Sequence, residues 1–412
     1  MAAADDAAPA LPAAVAAPSA PAQSLALPIL LGLSLGHCLN DLMQSLIAAI
    51  FPLIRDTYSL NYAQIGLIGA TFSITASILQ PIVGFATDRK PQPYSLPLAM
   101  VLTMCGLLLL GFAGSYPLII AAAALVGIGS SIFHPESTRV ARYASGGRHG
   151  LAQSMFQTGG NLGTALGPLL ARLIVAPLGQ ISIAGFALVA LAGMGLLTWI
   201  GGWYRDWLAT HVRTAQGAGA AMAAGLTANQ VWASLAILVA LMFSKFVYLS
   251  SIQNYYQLYL IDHFGASVGA AQYSVFLFLA ATAAGTILGG PVGDRIGARA
   301  VILGSILGVL PFTLLLPYAD FAWTLVLTVP IGLILASAFS LIVVYAQNLL
   351  PGRIGLIGGL FFGLAFGMSG LAAGGLGWLA DRTSIETVFK LCALLPAIGL
   401  LALWLPRLEV RR

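Results

Sequence analysis

The sequence predicts an all-α integral membrane protein, twelve transmembrane helices in two pseudo-symmetric bundles of six, and three observations carry that reading. Of 412 residues, 59% are hydrophobic and only 8% are charged, with a mean hydropathy of +0.93, whereas soluble domains carry about 25% charged residues. The apolar residues run continuously over lengths close to the ~20 that a helix needs to cross the hydrocarbon layer. They lack the alternation of barrel strands, so the backbone must be satisfied within helices. Finally, the second half of the chain repeats the first.

Taken in order, residues 1-24 ("MAAADDAAPALPAAVAAPSAPAQS") are rich in Ala and Pro, carry Asp5 and Asp6 and lack the basic start of a secretory signal. They read as a disordered cytoplasmic tail. Twelve spans follow, at 25-54, 62-87, 95-114, 117-142, 149-176, 181-203, 229-260, 270-293, 300-318, 322-347, 354-380 and 385-406. The first six, 25-203, form one bundle and the last six, 229-406, the other. The longest connection, 204-228, contains "AQGAGAAMAAG" and reads as a flexible cytoplasmic linker. Residues 407-412 close the chain as a second cytoplasmic tail.

Sidedness follows from the basic residues. The loops after the even-numbered spans hold Arg89 and Lys90, Arg139 with Arg142 and Arg148, Arg205 with Arg213, Arg295 with Arg299, and Arg353; the C-terminus adds Arg407, Arg411 and Arg412. The opposite face has only Arg55, Arg382 and Lys390. The positive-inside rule therefore places both termini in the cytoplasm. The net charge of +5 reflects this bias and gives no reason to expect a nucleic-acid partner. Cys38, Cys105 and Cys392 all lie in apolar runs without metal-ligand spacing and read as buried small hydrophobes, with no bound metal.

A shift of 206 positions lays Gly84, Asp88 and Arg89 onto Gly290, Asp294 and Arg295; a shift of 205 lays "RHGLAQSMF" onto "RIGLIGGLF". Two parallel six-span repeats are the result. With Gly-x-x-x-Asp-Arg and further basic residues after the second span, and a copy after the eighth, the chain resembles the major facilitator superfamily over residues 25-406. The glycines allow close helix approach, and an aspartate at a helix end can hold basic groups or a neighbouring helix N-terminus. Gly84, Asp88, Arg89, Gly290, Asp294 and Arg295 are thus expected to form a conformational latch, the alternative being ordinary solvated loop charges.

Within that superfamily, "LGHCLNDLMQSLIAAIFPLI" in the first span and "SIFHPESTRVARYASGGRHGLAQSMFQTGGNLGTALGPLLA" across the fourth and fifth resemble the fosmidomycin resistance protein family. "GTALGP" also matches a Gly-Pro signature of antiporters, where Pro168 bends the helix. Many relatives place an arginine in the fourth span four residues before Gly-x-Gly; here Ala123 stands in that place. Proton coupling must then rest on other residues.

Ionisable groups at membrane depth are costly and usually functional. Asp41 lies roughly 23 Å along the first span at 1.5 Å per residue, with Lys245 at similar depth in the seventh. Asp41, with His134 and Glu136 beside Pro135, is the candidate set for proton coupling. His134 and Glu136 would face differently on a regular helix, and Glu136 can instead pair with Arg139. Lys245, Gln157, Asn161 and Arg172 are the candidate substrate contacts. Gln153, Gln157 and Asn161 make a polar stripe that either lines a cavity or glues helices together, and Arg172 either joins it or snorkels to the interface.

There is no phosphate-binding Gly-x-x-x-x-Gly-Lys loop and no domain large enough for a nucleotide. The chain is therefore not expected to be an enzyme or to need a cofactor, and the driving force is expected to be the proton gradient. The resemblance implies a monomeric proton-coupled antiporter exporting fosmidomycin, a phosphonate antibiotic, and other small drugs. Lys245 and the amides suit an anionic substrate. Uptake of a sugar or organic acid on the same fold, and a non-transporting membrane receptor or scaffold, are the alternative readings.

Overall fold

The computed structural model describes residues 24–215 and 225–408, and among them there is no strand. Among the described residues, eleven helical stretches are long and apolar enough to cross a membrane. The first span, Leu27–Ala49, of 23 residues, takes the twelfth place. Its hydropathy is lowered by His37, Asn40, Asp41 and Gln44, all of which it buries. The other spans are Tyr62–Arg89, Ser95–Phe112, Tyr116–Ala144, His149–Leu170, Ala187–Ala215, Ala228–Phe264, Val268–Ile296, Ala298–Leu315, Phe321–Ala336 continued by Phe339–Leu349, Ile354–Arg382, and Ile385–Cys392 continued by a 3-10 turn, Leu395–Trp404.

Local chemistry sets many of these ends. Asn61 and Gln64 form a capping box at the start of the second span, as do Thr227 and Gln230 at the seventh. Ser267, Asp320 and Ser384 cap the eighth, tenth and twelfth spans through their side chains. The seventh ends on Gly265 at φ 63, the left-handed region that glycine enters most readily. Beyond Pro168 the fifth span loosens into a π turn, Ala171–Val175.

Several expected boundaries move. The first span ends at Ala49, and a separate short helix, Phe51–Tyr58, follows. The sixth runs on to Ala215, into the stretch expected as linker, the rest of which, to 224, lies outside the described residues. Of the expected tails 1-24 and 407-412, residues 1–23 and 409–412 lie outside them too. Cys38 and Cys392 are buried, but Cys105 is exposed on the outer face of the third span, so the expectation that all three are buried fails there. The outward faces are apolar, as a lipid solvent requires: Ile74, Ile78 and Ile82 recur every fourth residue on the second span, and each is more than half exposed.

The two halves meet closely on the side that carries the Asp88 and Asp294 loops. A Cβ at Gly84 would run into the backbone of Gly355, and one at Gly290 into that of Gly150. Along the eleventh span this contact with the second loosens: Gly359 and Gly363 press on the backbone of Gln80 and Ser77, a Cβ at Gly367 or Gly370 would stand 3.6 or 4.0 Å from a serine hydroxyl, and Gly374 and Gly375 meet nothing within 4 Å. The halves therefore close at the basic side and diverge towards the other.

Candidate functional site

Asp41 is placed by the fit of the first span against the fifth. A Cβ at Gly159, Gly163 or Gly167 would strike the Ser34 carbonyl, the Cys38 carbonyl or the Ser45 hydroxyl, and one at Gly160 would strike the His37 ring and the Asp41 carboxylate. Small residues every fourth position let the two helices touch along their backbones while leaving room for a polar pair. Gly163→Leu forces these backbones apart and is expected to destabilise by about 1–3 kcal/mol. A lowered unfolding midpoint in detergent checks this, and an unchanged midpoint would refute the dependence.

Around Asp41 the structure gathers two imidazoles. His37 Nε2 lies 3.2 Å from Oδ2, and His134 Nε2 lies 3.7 Å from Oδ1. The Asn40 amide donates to Oδ1 at 3.0 Å, while the Ser130 hydroxyl donates to Gln44 at 3.1 Å. The His37 ring stacks on Phe156 with centroids 4.0 Å apart, and its Nδ1 lies 2.7 Å from the Phe156 carbonyl. His134 Nδ1 lies 3.0 Å from the Ser130 carbonyl. Phe362 and Phe366 of the eleventh span, in the other half, cover the His134 ring at 5.2 and 5.1 Å. All three titratable residues are buried, Asp41 retaining 7% exposure. That sliver faces a cavity of about 570 Å³ lined by Asp41, Gln44, Ser45, Phe72, Thr164 and Phe366 among others. Among the described residues this is the one place where three His, Cys, Asp or Glu side chains gather closely enough to share a cation.

Glu136, grouped with His134 from the sequence, belongs to a different network. Its Oε1 accepts from Arg139 at 2.6 Å and its Oε2 from Ser95 at 3.2 Å. Arg139, 1% exposed, also donates to Asp88 at 2.8 Å and Thr87 at 2.9 Å. The Asp88 carboxylate in turn accepts the Gly355 and Leu356 N–H groups, each at 2.8 Å, at the start of the eleventh span. Asp294 accepts the Gly150 and Leu151 N–H groups, also at 2.8 Å, at the start of the fifth. Arg89 instead lies exposed over the Phe85 ring at 3.9 Å, and Arg295 is exposed, so neither basic neighbour of these aspartates joins the contact.

The expected substrate contacts do not converge. Lys245 is 2% exposed, its Nζ has no hydrogen-bond partner, and it stands over the Phe339 and Phe246 rings at 5.4 and 6.0 Å. Gln157 donates to Asn161 at 3.2 Å, and Asn161 to Thr286 of the eighth span at 3.4 Å, so these amides join the halves. Gln153 accepts from Thr138 at 2.6 Å. Arg172 is exposed on the π turn. None of these side chains lines the cavity that Asp41 faces.

Sequence reasoning passed over His37 and gave Arg139 two roles, a basic loop charge and a partner for Glu136; the structure keeps the pairing but buries Arg139 within the fourth span, Tyr116–Ala144. His37 had a usable signal, since it stands four residues before Asp41 on the same helical face.

The Major Facilitator Superfamily model matches residues 33–257 and 237–412. The chain is 56% identical over 378 residues to the fosmidomycin resistance protein of Escherichia coli (strain K12), spanning 92% of each. It is 40% identical over 379 residues to an MFS-type transporter of Bacillus subtilis (strain 168), spanning 92% of this chain and 93% of the relative. A human organic anion transporter superposes with a TM-score of 0.74 at 16% identity, over 93% of this chain and all of that one, a likeness of fold. With the family model and the bacterial relatives spanning nearly the whole chain, this protein is a multi-pass transporter, not an enzyme, and belongs to the Major Facilitator Superfamily and, within it, to the fosmidomycin resistance protein family.

Proposed function

We propose that the protein is a proton-coupled antiporter that exports fosmidomycin and related small anions by alternating access. It would work as a monomer in a bacterial inner membrane, with both termini in the cytoplasm and without a cofactor. The observation that carries this reading is the Asp41 carboxylate on the wall of the cavity, buried between two imidazoles. An ionisable cluster at membrane depth is costly to maintain unless its charge changes serve the protein, and a carboxylate between two imidazoles offers more than one atom that can hold a proton. The substrate class is supported by the relative's name and by Lys245. A buried ammonium without a counter-ion is unstable, and an anionic substrate would supply the missing partner when the halves rearrange.

The test is accumulation of fosmidomycin by proteoliposomes under an imposed pH gradient; no accumulation above protein-free vesicles overturns the reading. Lys245→Ala removes a charge-assisted hydrogen bond of about 1.5–3 kcal/mol. It is therefore expected to weaken fosmidomycin binding by roughly ten- to hundredfold, and native affinity in the variant would remove Lys245 from the site.

A further inference from the structure

We propose that the two histidines flanking Asp41 divide the work: His37 is a fixed positioning residue that permanently shares one proton with Asp41, and His134 Nε2 is the exchangeable proton site. This deepens the antiport reading and rests on it.

The argument runs through donors and acceptors. A carbonyl oxygen can only accept, so the 2.7 Å contact between His37 Nδ1 and the Phe156 carbonyl places a proton on Nδ1. Nε2 of a neutral His37 then carries a lone pair, and it faces Asp41 Oδ2 at 3.2 Å. Two lone pairs do not face one another at that distance inside a protein without a proton between them. Whether drawn on the imidazole or on the carboxyl, one proton belongs to that pair. The ring is held there from three sides: by the Phe156 carbonyl, by stacking on Phe156 at 4.0 Å, and by Gly160, where a Cβ would collide with it.

His134 is built the same way at one end and differently at the other. Its Nδ1 lies 3.0 Å from the Ser130 carbonyl, which can only accept, and 3.3 Å from the Ser130 hydroxyl, whose proton goes to Gln44, so Nδ1 carries the proton and Nε2 is a lone pair; that atom stands 3.7 Å from Asp41 Oδ1, is buried and has no hydrogen-bond partner. It is a vacant base beside a carboxylate. A proton taken from cavity water by the exposed edge of Asp41 passes to His134 Nε2; the N–H so formed points at Oδ1, the cluster gains one positive charge, and the same proton leaves by the reverse route. No further acid or base competes among the described residues. The first span adds Asn40, Gln44 and the Cys38 thiol, the fifth adds Phe156 and Gly160, the eleventh adds Phe362 and Phe366, and on the fourth Glu136 is bound to Arg139. Because Phe362 and Phe366 come from the opposite half, movement between the halves changes the cover over the exchangeable site and leaves the His37 bond, which lies within one half, untouched.

The full-length protein, labelled with 15N-histidine in lipid nanodiscs, tests this without any transport measurement. The chain has five histidines, and His37→Gln and His134→Gln assign the two signals. On acidification of the folded protein, the His134 signal is expected to move from the neutral to the imidazolium position while that of His37 stays constant. A titrating His37, or a His134 that keeps one state throughout, overturns the division. In vesicles, His134→Gln is expected to flatten the pH dependence of fosmidomycin counterflow, whereas His37→Gln lowers the rate and keeps the pH dependence. If the labelled protein behaves as expected but wild-type vesicles show no gradient-driven accumulation, the antiport reading fails and the proton assignment stands.

Discussion

Asp41→Asn proteoliposomes are expected to lose gradient-driven accumulation of fosmidomycin, falling to the level of protein-free vesicles, while still exchanging labelled for unlabelled drug. Asparagine keeps the size of the side chain and its place against Gly160, so the packing of the first span on the fifth survives. What disappears is the anion between two imidazoles. The amide can donate an N–H to His37 but cannot take up or release that proton, and an imidazolium at His134 would have no counter-charge in an apolar surround. Uphill transport needs a proton to bind and leave in each cycle; exchange moves substrate both ways with no net proton flow. Both readouts come from the same vesicles. Continued accumulation by Asp41→Asn at neutral pH removes Asp41 from the coupling step, and loss of both accumulation and exchange shows that the substitution disabled the transporter as a whole.

How far the sequence reaches is clear from individual residues. The helical membrane architecture was legible because it depends on composition and run length, which need no knowledge of neighbours. The place of Asp41 within the first helix followed from the length of the apolar run, and the Glu136 to Arg139 pair from a spacing of three. Its surroundings were not legible. His134 and Phe156 reach Asp41 and His37 from other spans, and which face of one helix meets which face of another is settled by small residues such as Gly160 and Gly163. Lys245 illustrates the limit: its depth matched that of Asp41, yet it sits in an apolar pocket beside Phe339, and among the described residues no carboxylate forms an ion pair with it. The break in the tenth span at Ser337 and Ala338 was hidden for another reason, since neither residue is a helix breaker and packing sets the bend.

The two aspartates at the junction of the halves occupy matching places in the repeat, but the structure makes them unequal, and their substitution is expected to separate them. Each carboxylate accepts two N–H groups at the start of a helix in the opposite half, an interaction with the helix dipole of about 0.3–1 kcal/mol when exposed and up to about 2 when partly buried. Asp88 has in addition a buried arginine, Arg139, itself held by Glu136. Asp294 is exposed, and among the described residues it has no ion pair. Breaking a buried ion pair on one side costs about 3–5 kcal/mol, although Arg139 keeps Glu136, so the loss at Asp88 lies towards the lower end. These contacts close the basic side, so removing them lowers the free energy needed to open it. A change of about 2–3 kcal/mol corresponds to a shift of roughly thirty- to 150-fold in the population ratio of the two states. Asp88→Asn is therefore expected to cut fosmidomycin transport by at least tenfold with near-native protein in the membrane, and to make a cysteine placed at Ser154, which is buried against Gly290 where the halves meet, more reactive from the basic side. Asp294→Asn should do the same to a smaller extent. Native transport rates in both variants would show that the junction holds no state in place, and a larger effect at Asp294 would show that Arg139 adds nothing to the contact it completes.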